Sequence, residues 1–164
     1  MSDAGPTRGQ LHQIRGGRDD PPSPDGPARR LAVILAADIA GYSRLMGMDE
    51  EGTLARIKRQ RRELIEPTIA EHHGKLIKYM GDGFLALFNS PVEAVRAAIV
   101  IQQSMVGRNA SLPKPHWIQY RLGVHLGDVI VEDDDIYGDG VNVAARLESI
   151  AEPGDLFISG GVYE

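Results

Sequence analysis

The chain contains no cysteine, only 5% aromatic residues and no excess of basic residues. Without cysteine, it can form neither a disulfide framework nor a thiolate metal site. The formal charge of −5 leaves no face of clustered lysine and arginine, which disfavours a nucleic-acid partner. There is also no signal-peptide core and no apolar run of transmembrane length. We therefore predict a cytoplasmic protein with no membrane segment in this chain.

The first 29 residues differ in composition from the rest of the chain. They are rich in proline, glycine, aspartate and arginine and carry almost no large apolar side chains, so they cannot offset the entropy lost on ordering. We predict a disordered arm or linker over residues 1–29. Residues 30–164 hold enough apolar side chains for one core and are predicted to form a single domain.

Three elements are predicted in the first half of the domain. The near-continuous apolar run "RLAVILAADIAGYS" indicates a buried central strand that ends at Asp38. A helix is expected from an N-cap at Asp49 to a stop at Gly74, bent or divided by Pro67. Residues 75–88 then read as two strands joined by a glycine-containing turn, which indicates a hairpin.

The second half of the domain completes an α+β pattern. Ser90 and Pro91 indicate the start of a helix that reaches about Val106. The segment "WIQYRLGVHLGDVIVED" predicts two strands broken near Gly127, and a helix from about Val141 and a short last strand follow. The order β-α-β-β-α-β-β-α-β predicts a mixed or antiparallel central sheet with a ferredoxin-like core and helices packed on one face.

The glycine-rich segments do not fit three common nucleotide and metal motifs. No G-x-x-x-x-G-K-[ST] sequence is present, and "GDGVNV" lacks the third glycine of a dinucleotide fingerprint. A calcium loop that starts at Asp133 would have Tyr137 in its fifth position and Ala144 in its twelfth. Neither side chain is a calcium ligand.

Two carboxylates and one helix face remain as candidate chemistry. Asp38 ends the central strand and Asp82 lies at the hairpin tip, and two such carboxylates can form a magnesium site. Taken alone, Asp38 is also explained as a loop-start residue, and Asp82 as a turn residue. In "GVNVAARLE", Asn142 and Arg146 are four residues apart and share a helix face, where arginine suits a phosphoryl oxyanion. The alternative is that Arg146 pairs with Glu148 on a solvated face.

The segments "ADIAGYS", "KYMGDGFLALF" and "DIYGDGVNVAARLE" together resemble the three signature segments of the class III nucleotidyl cyclases, the adenylyl and guanylyl cyclase catalytic domain. The resemblance covers roughly residues 31–164. It implies the nucleotide cyclase fold and a homodimer with active sites at the subunit interface. It also assigns roles to ten residues: metal ligands Asp38, Asp82 and the carbonyl of Ile39; triphosphate binding by Gly41, Tyr42 and Ser43; adenine recognition by Lys78 and Asp135; ribose orientation and transition-state stabilisation by Asn142 and Arg146.

The resemblance further implies an adenylate cyclase that uses two Mg²⁺ or Mn²⁺ ions to convert ATP into cyclic AMP. A lysine donor and an aspartate acceptor match adenine, whereas guanine presents the opposite pattern. The alternatives are a guanylate cyclase and a non-catalytic nucleotide-binding or regulatory module. Family members continue beyond the last strand with a hairpin that carries a lysine. This sequence ends at Glu164, so we expect a fragment or a degenerate copy.

Overall fold

The computed structural model describes residues 28–163, so all but the last two residues of the arm predicted over residues 1–29 lie outside the described part. Ala28 and Arg29 belong to the first strand and not to the arm, because they pair with Val131 and Ile130 of a distant strand. This pairing satisfies their backbone groups although their own composition does not favour a strand. The predicted boundary at residue 29 is therefore two residues too late.

The chain alternates between strands and helices throughout. In order, the elements are β1 (Ala28–Ile39), α1 (Tyr42–Met48), α2 (Glu50–Gln60), a π-helical turn (Arg61–Ile65), α3 (Glu66–Glu71), β2 (Lys75–Met80), β3 (Gly83–Phe88), α4 (Pro91–Asn109), a 3₁₀ turn (Lys114–His116), β4 (Tyr120–Glu132), β5 (Asp135–Tyr137), α5 (Asp139–Ile150), β6 (Leu156–Ile158) and α6 (Gly160–Tyr163).

The sheet is mixed and has the strand order β2-β3-β1-β4-β5, with β6 parallel to β4. The other strand pairs are antiparallel. The apolar strand β1 lies in the middle, where β3 and β4 cover both of its edges. The predicted α+β class and the central position of this strand are confirmed.

Helices pack on both faces of the sheet. Because successive strand residues point to opposite faces, Val33 and Leu35 join a core with α1 to α4, while Ile34 and Ala36 join a smaller core with Ala144 of α5. The prediction that helices cover one face is therefore wrong. The all-apolar sequence of β1 is typical of a strand buried on both faces.

The second half of the sheet differs from its prediction in two ways. The strand break near Gly127 is wrong, since β4 runs unbroken and Gly127 pairs with Ala32. The strand β5 was not predicted. A tight turn connects β4 to β5, with positive φ at Asp133 (53°) and Asp134 (63°), a conformation that aspartate tolerates better than most residues.

The predicted helix over residues 49–74 is present in three pieces. The N-cap is confirmed, because the Asp49 side chain accepts a hydrogen bond from the Gly52 amide at 3.0 Å. The helix widens into the π-helical turn before Pro67 and ends at Glu71. Proline lacks an amide hydrogen and its ring crowds the carbonyl four residues earlier, so the widening lies where an ordinary α-helix could not continue.

Candidate functional site

The two predicted metal carboxylates lie side by side at one end of the sheet. Asp38 is near the end of β1, and Asp82 lies in the turn between β2 and β3. A methyl group added at Gly83 would lie 1.8 Å from the Ala37 carbonyl oxygen and 3.0 Å from the Asp38 Cα. Glycine at this position therefore lets the turn pack against β1 and brings Asp82 next to Asp38.

Arg121 holds Asp38 in a two-pronged ion pair. The two residues are register partners on β4 and β1, and the arginine Nε donates to Oδ1 at 2.8 Å while Nη2 donates to Oδ2 at 2.5 Å. The hydrogen bond to Asp38 raises the pKa of Arg121 above its usual value. Sequence reasoning missed Arg121, because nothing in the spacing of the chain indicates that it lies opposite Asp38.

Glu148 adds a third carboxyl group to this end of the sheet. Its side chain projects from the last turn of α5 and only 8% of the residue is exposed. Burial raises the pKa of Glu148 to about 8, Asp38 and Asp82 contribute in the same direction, and Arg121 opposes them. Glu148 is therefore not a partner of Arg146 on a solvated face, as the sequence allowed. Its carboxyl group lies beside that of Asp38.

Gly123 determines how closely α5 approaches β4. A methyl group at this position would lie 2.6 Å from both the Ala144 carbonyl oxygen and the Glu148 amide nitrogen. Helix and strand thus meet backbone to backbone, since any side chain at residue 123 would separate them. This contact places Glu148 over the ends of β1 and β4.

The predicted triphosphate segment forms the start of α1. Gly41 has a left-handed φ of 66° at the N-cap and offers no side-chain cap to the first turn. Its carbonyl accepts from the Leu45 amide, while the amides of Tyr42 and Ser43 belong to the first turn, where a helix provides no acceptor. Such amides favour an anion, and they belong to the segment that follows the end of β1.

Lys78 and Asp135 form an ion pair across the two ends of the curled sheet. The Lys78 Nζ lies 3.0 Å from both carboxylate oxygens, although β2 and β5 are opposite ends of the strand order. The hydrogen bond from Lys78 lowers the pKa of Asp135, and the Ile136 amide adds to this effect. The side chains are 38% and 27% exposed, so a ligand could reach them.

Asn142 and Arg146 share the outer face of α5. Both residues are exposed, and within residues 28–163 neither side chain forms a hydrogen bond or an ion pair. Arg146 and Glu148 are two residues apart, which turns their side chains about 200° from each other around the helix. Since Glu148 faces Asp38, Arg146 points away from Asp38 of its own chain.

The sequence matches a family of known proteins over nearly its whole described length. Residues 29–164 match the profile described as "Adenylate and Guanylate cyclase catalytic domain". The chain belongs to this family. We refer to it below as the cyclase domain.

Individual relatives agree with this assignment. The cyclase domain is 50% identical over 136 residues to "Putative adenylate cyclase 3" of Rhizobium meliloti, covering 83% of this chain and 23% of that protein. It is 31% identical over 140 residues to "Adenylate cyclase" of Glutamicibacter nicotianae, covering 85% of this chain and 32% of that protein. A crystal structure titled "Adenylate/Guanylate Cyclase/Hydrolase" from Silicibacter pomeroyi is 51% identical with a TM-score of 0.79, covering 84% and 80% of the two chains. The chain thus spans less than a third of the length of both curated relatives.

The carboxylate end of the cyclase domain fits a divalent cation. Asp38, Asp82 and a backbone carbonyl are hard oxygen donors, and Mg²⁺ commonly takes one or two carboxylates and completes its shell with water and phosphate. No group of three or more His, Asp or Glu side chains in the described part of the chain is arranged to hold a metal alone. After burial, the negative charges of Asp38 and Asp82 raise the pKa of Glu148. A bound cation would neutralise these charges.

His125 lies within β4, and its Nδ1 is buried without a hydrogen-bond partner among the described residues. Burial lowers the pKa of His125.

Among the residues that the structure describes, no helix is long and apolar enough to span a lipid bilayer.

Proposed function

We propose that the cyclase domain converts ATP into 3′,5′-cyclic AMP and pyrophosphate. The observation that carries the choice of ATP is the Lys78–Asp135 pair at 3.0 Å. Adenine presents an acceptor at N1 and a donor at its exocyclic amine, so an ammonium and a carboxylate side by side match this edge. Guanine presents a donor at N1 and an acceptor at its exocyclic oxygen. The Lys78 ammonium would then face a donor, and the Asp135 carboxylate would face an acceptor.

Metal binding is the second part of the proposal. Asp38, Asp82 and the carbonyl of Ile39 would hold two Mg²⁺ or Mn²⁺ ions, which when bound lower the pKa of the ribose 3′-hydroxyl and neutralise the triphosphate. To accept a cation, Asp38 has to release Arg121. The freed guanidinium can then donate to phosphate oxygens.

The proposed chemistry is an in-line displacement at the α-phosphorus. The ribose 3′-oxygen forms a bond to this phosphorus and loses its proton, while the bond to the bridging oxygen of the β-phosphate breaks and pyrophosphate leaves. Asn142 orients the ribose through its amide. Arg146 donates to the α-phosphoryl oxygens as their negative charge grows.

The proposed site requires two copies of the chain. Arg146 points away from Asp38 within one chain, so we assign Asp38 and Asp82 of one copy to the same site as Lys78, Asp135, Asn142 and Arg146 of the other. A two-fold homodimer then contains two equivalent sites. Exposed apolar side chains beside the base-reading pair, Met80 (41%) and Tyr137 (49%), are surfaces that a base or a second copy would cover.

The test is to measure cyclic AMP and cyclic GMP formed from ATP and GTP with Mg²⁺ or Mn²⁺. We expect cyclic AMP as the main product, and no product when EDTA removes the metal. Saturable ATP binding without any cyclic product would favour the non-catalytic module. An excess of cyclic GMP would favour a guanylate cyclase.

A further inference from the structure

A cleft of about 220 Å³ lies between the end of α2 and the end of α4. Its lining includes three arginines, Arg56, Arg59 and Arg108, together with Gln60, Asn109 and Ser111. None of the residues that we assign to catalysis or nucleotide binding is among them. The cleft is therefore separate from the proposed cyclase site, and the proposed function gives it no role.

The cleft concentrates positive charge on a chain whose formal charge is −5. Arg108 donates from Nη1 to Oε1 of Glu63 at 3.1 Å, and both side chains are partly exposed. Within residues 28–163, neither Arg56 nor Arg59 forms an ion pair. One carboxylate thus offsets one of three guanidinium groups, and about two positive charges remain uncompensated.

Arg56 also has an unsatisfied donor. Its Nη2 makes a long hydrogen bond of 3.4 Å to the His116 carbonyl, and its Nε is buried without a partner among the described residues. A buried donor without an acceptor is costly. The Arg56 guanidinium, which lines the cleft, therefore uses little of its hydrogen-bonding capacity within the described residues.

We propose that this arginine cleft binds a small oxyanion of the phosphate class. Planar guanidinium groups donate paired hydrogen bonds to phosphate oxygens, and the Ser111 hydroxyl is a further donor on the same wall. The volume equals that of about seven water molecules and lies below the range of about 300–1,000 Å³ for drug-sized ligands. Phosphate or pyrophosphate fits this size, whereas a nucleotide is too large.

The single tryptophan of the chain reports on this cleft. Trp117 donates from its indole nitrogen to the carbonyl of Leu112 at 2.9 Å, and Leu112 belongs to the cleft lining. An anion that reorders residues 108–112 will therefore change the environment of the indole. Because the chain has one tryptophan, its fluorescence is a direct measure of occupancy.

The experiment titrates phosphate, pyrophosphate and glutarate into the protein at constant ionic strength, with chloride as the balancing anion. EDTA keeps divalent cations away from Asp38 and Asp82. Calorimetry and Trp117 fluorescence should both show one saturable site for phosphate and pyrophosphate. Glutarate, a dicarboxylate of similar charge, should bind at least tenfold more weakly.

Substitutions locate the site. Arg59→Gln and Arg108→Gln should each weaken phosphate binding at least tenfold, and both keep the fold because arginine and glutamine have similar helix propensities. Arg62→Gln removes the same charge from an exposed neighbouring position outside the cleft and should change the affinity less than twofold. The proposal is wrong if phosphate gives no saturable signal, if glutarate binds equally well, or if Arg62→Gln weakens binding as much as Arg59→Gln.

Discussion

Replacing Glu148 with glutamine should change how the stability of the domain depends on pH. Burial and two neighbouring carboxylates raise the pKa of Glu148 from 4.5 to about 8 in the folded state. Between these values the folded protein binds a proton that the unfolded chain has lost. The free energy of unfolding therefore falls as the pH rises from about 4.5 to 8, and the contribution of this proton is complete only below about 4.5.

The magnitude follows from the size of this change. At about 1.36 kcal/mol per pH unit, a rise from 4.5 to about 8 corresponds to roughly 5 kcal/mol. The positive charge of Arg121 and local rearrangement will reduce this cost. We therefore expect the free energy of unfolding to fall by about 2 kcal/mol. Glutamine is neutral at every pH, so Glu148→Gln should gain about 2 kcal/mol on the parent protein between pH 5 and pH 9.

The assay is urea unfolding of both proteins at one-unit steps from pH 5 to pH 9, without divalent metal. Glu152→Gln is a matched control, because Glu152 is exposed just beyond α5 and its loss should leave the parent profile unchanged. The reasoning is refuted if the difference between Glu148→Gln and the parent is constant over this range, or if Glu152→Gln has the same effect.

Four further variants test the metal site, the base-reading pair and the packing of the hairpin turn. Asp38→Ala or Asp82→Ala should reduce metal-dependent turnover by roughly a thousandfold, about 4 kcal/mol, with an unchanged circular dichroism spectrum; turnover within a few fold of the parent would contradict the metal assignment. The double change Lys78→Glu and Asp135→Cys should lower the ratio of kcat/KM for ATP to that for GTP, and an unchanged ratio would remove the base-reading role. Gly83→Ala should lower the free energy of unfolding by about 1–3 kcal/mol because its methyl group meets the Ala37 carbonyl; an unchanged urea midpoint would mean that the turn does not pack this tightly.

Local signals predicted much of the fold correctly. The helix start at Asp49, the hairpin over residues 75–88 and the central position of β1 depend on capping, turn chemistry and burial, which the sequence displays directly. The failures concern contacts between distant segments. The sequence predicts a strand break at Gly127, whereas a methyl group there would lie 3.3 Å from the Gly140 Cα, so this glycine allows a close contact with α5.

The same distinction separates the predicted from the missed site residues. Asp38 and Asp82 could be proposed because they follow apolar strands, and the structure places them together. Arg121 and Glu148 carry no comparable signal, since their roles depend on the β1–β4 register and on the depth at which α5 packs. Sequence spacing correctly put Asn142 and Arg146 on one helix face, but only the structure places this face away from Asp38.

The most direct test of the account is complementation between two inactive variants, since the central claim is that each site combines two chains. Asp38→Ala and Arg146→Ala should each be inactive alone. In a mixed dimer, one site receives both lesions and the other receives neither. With free subunit exchange, half of the dimers are mixed and half of their sites are intact. Cyclic AMP formation should therefore recover to roughly a quarter of the parent rate, whereas no recovery despite verified exchange would contradict the two-chain site.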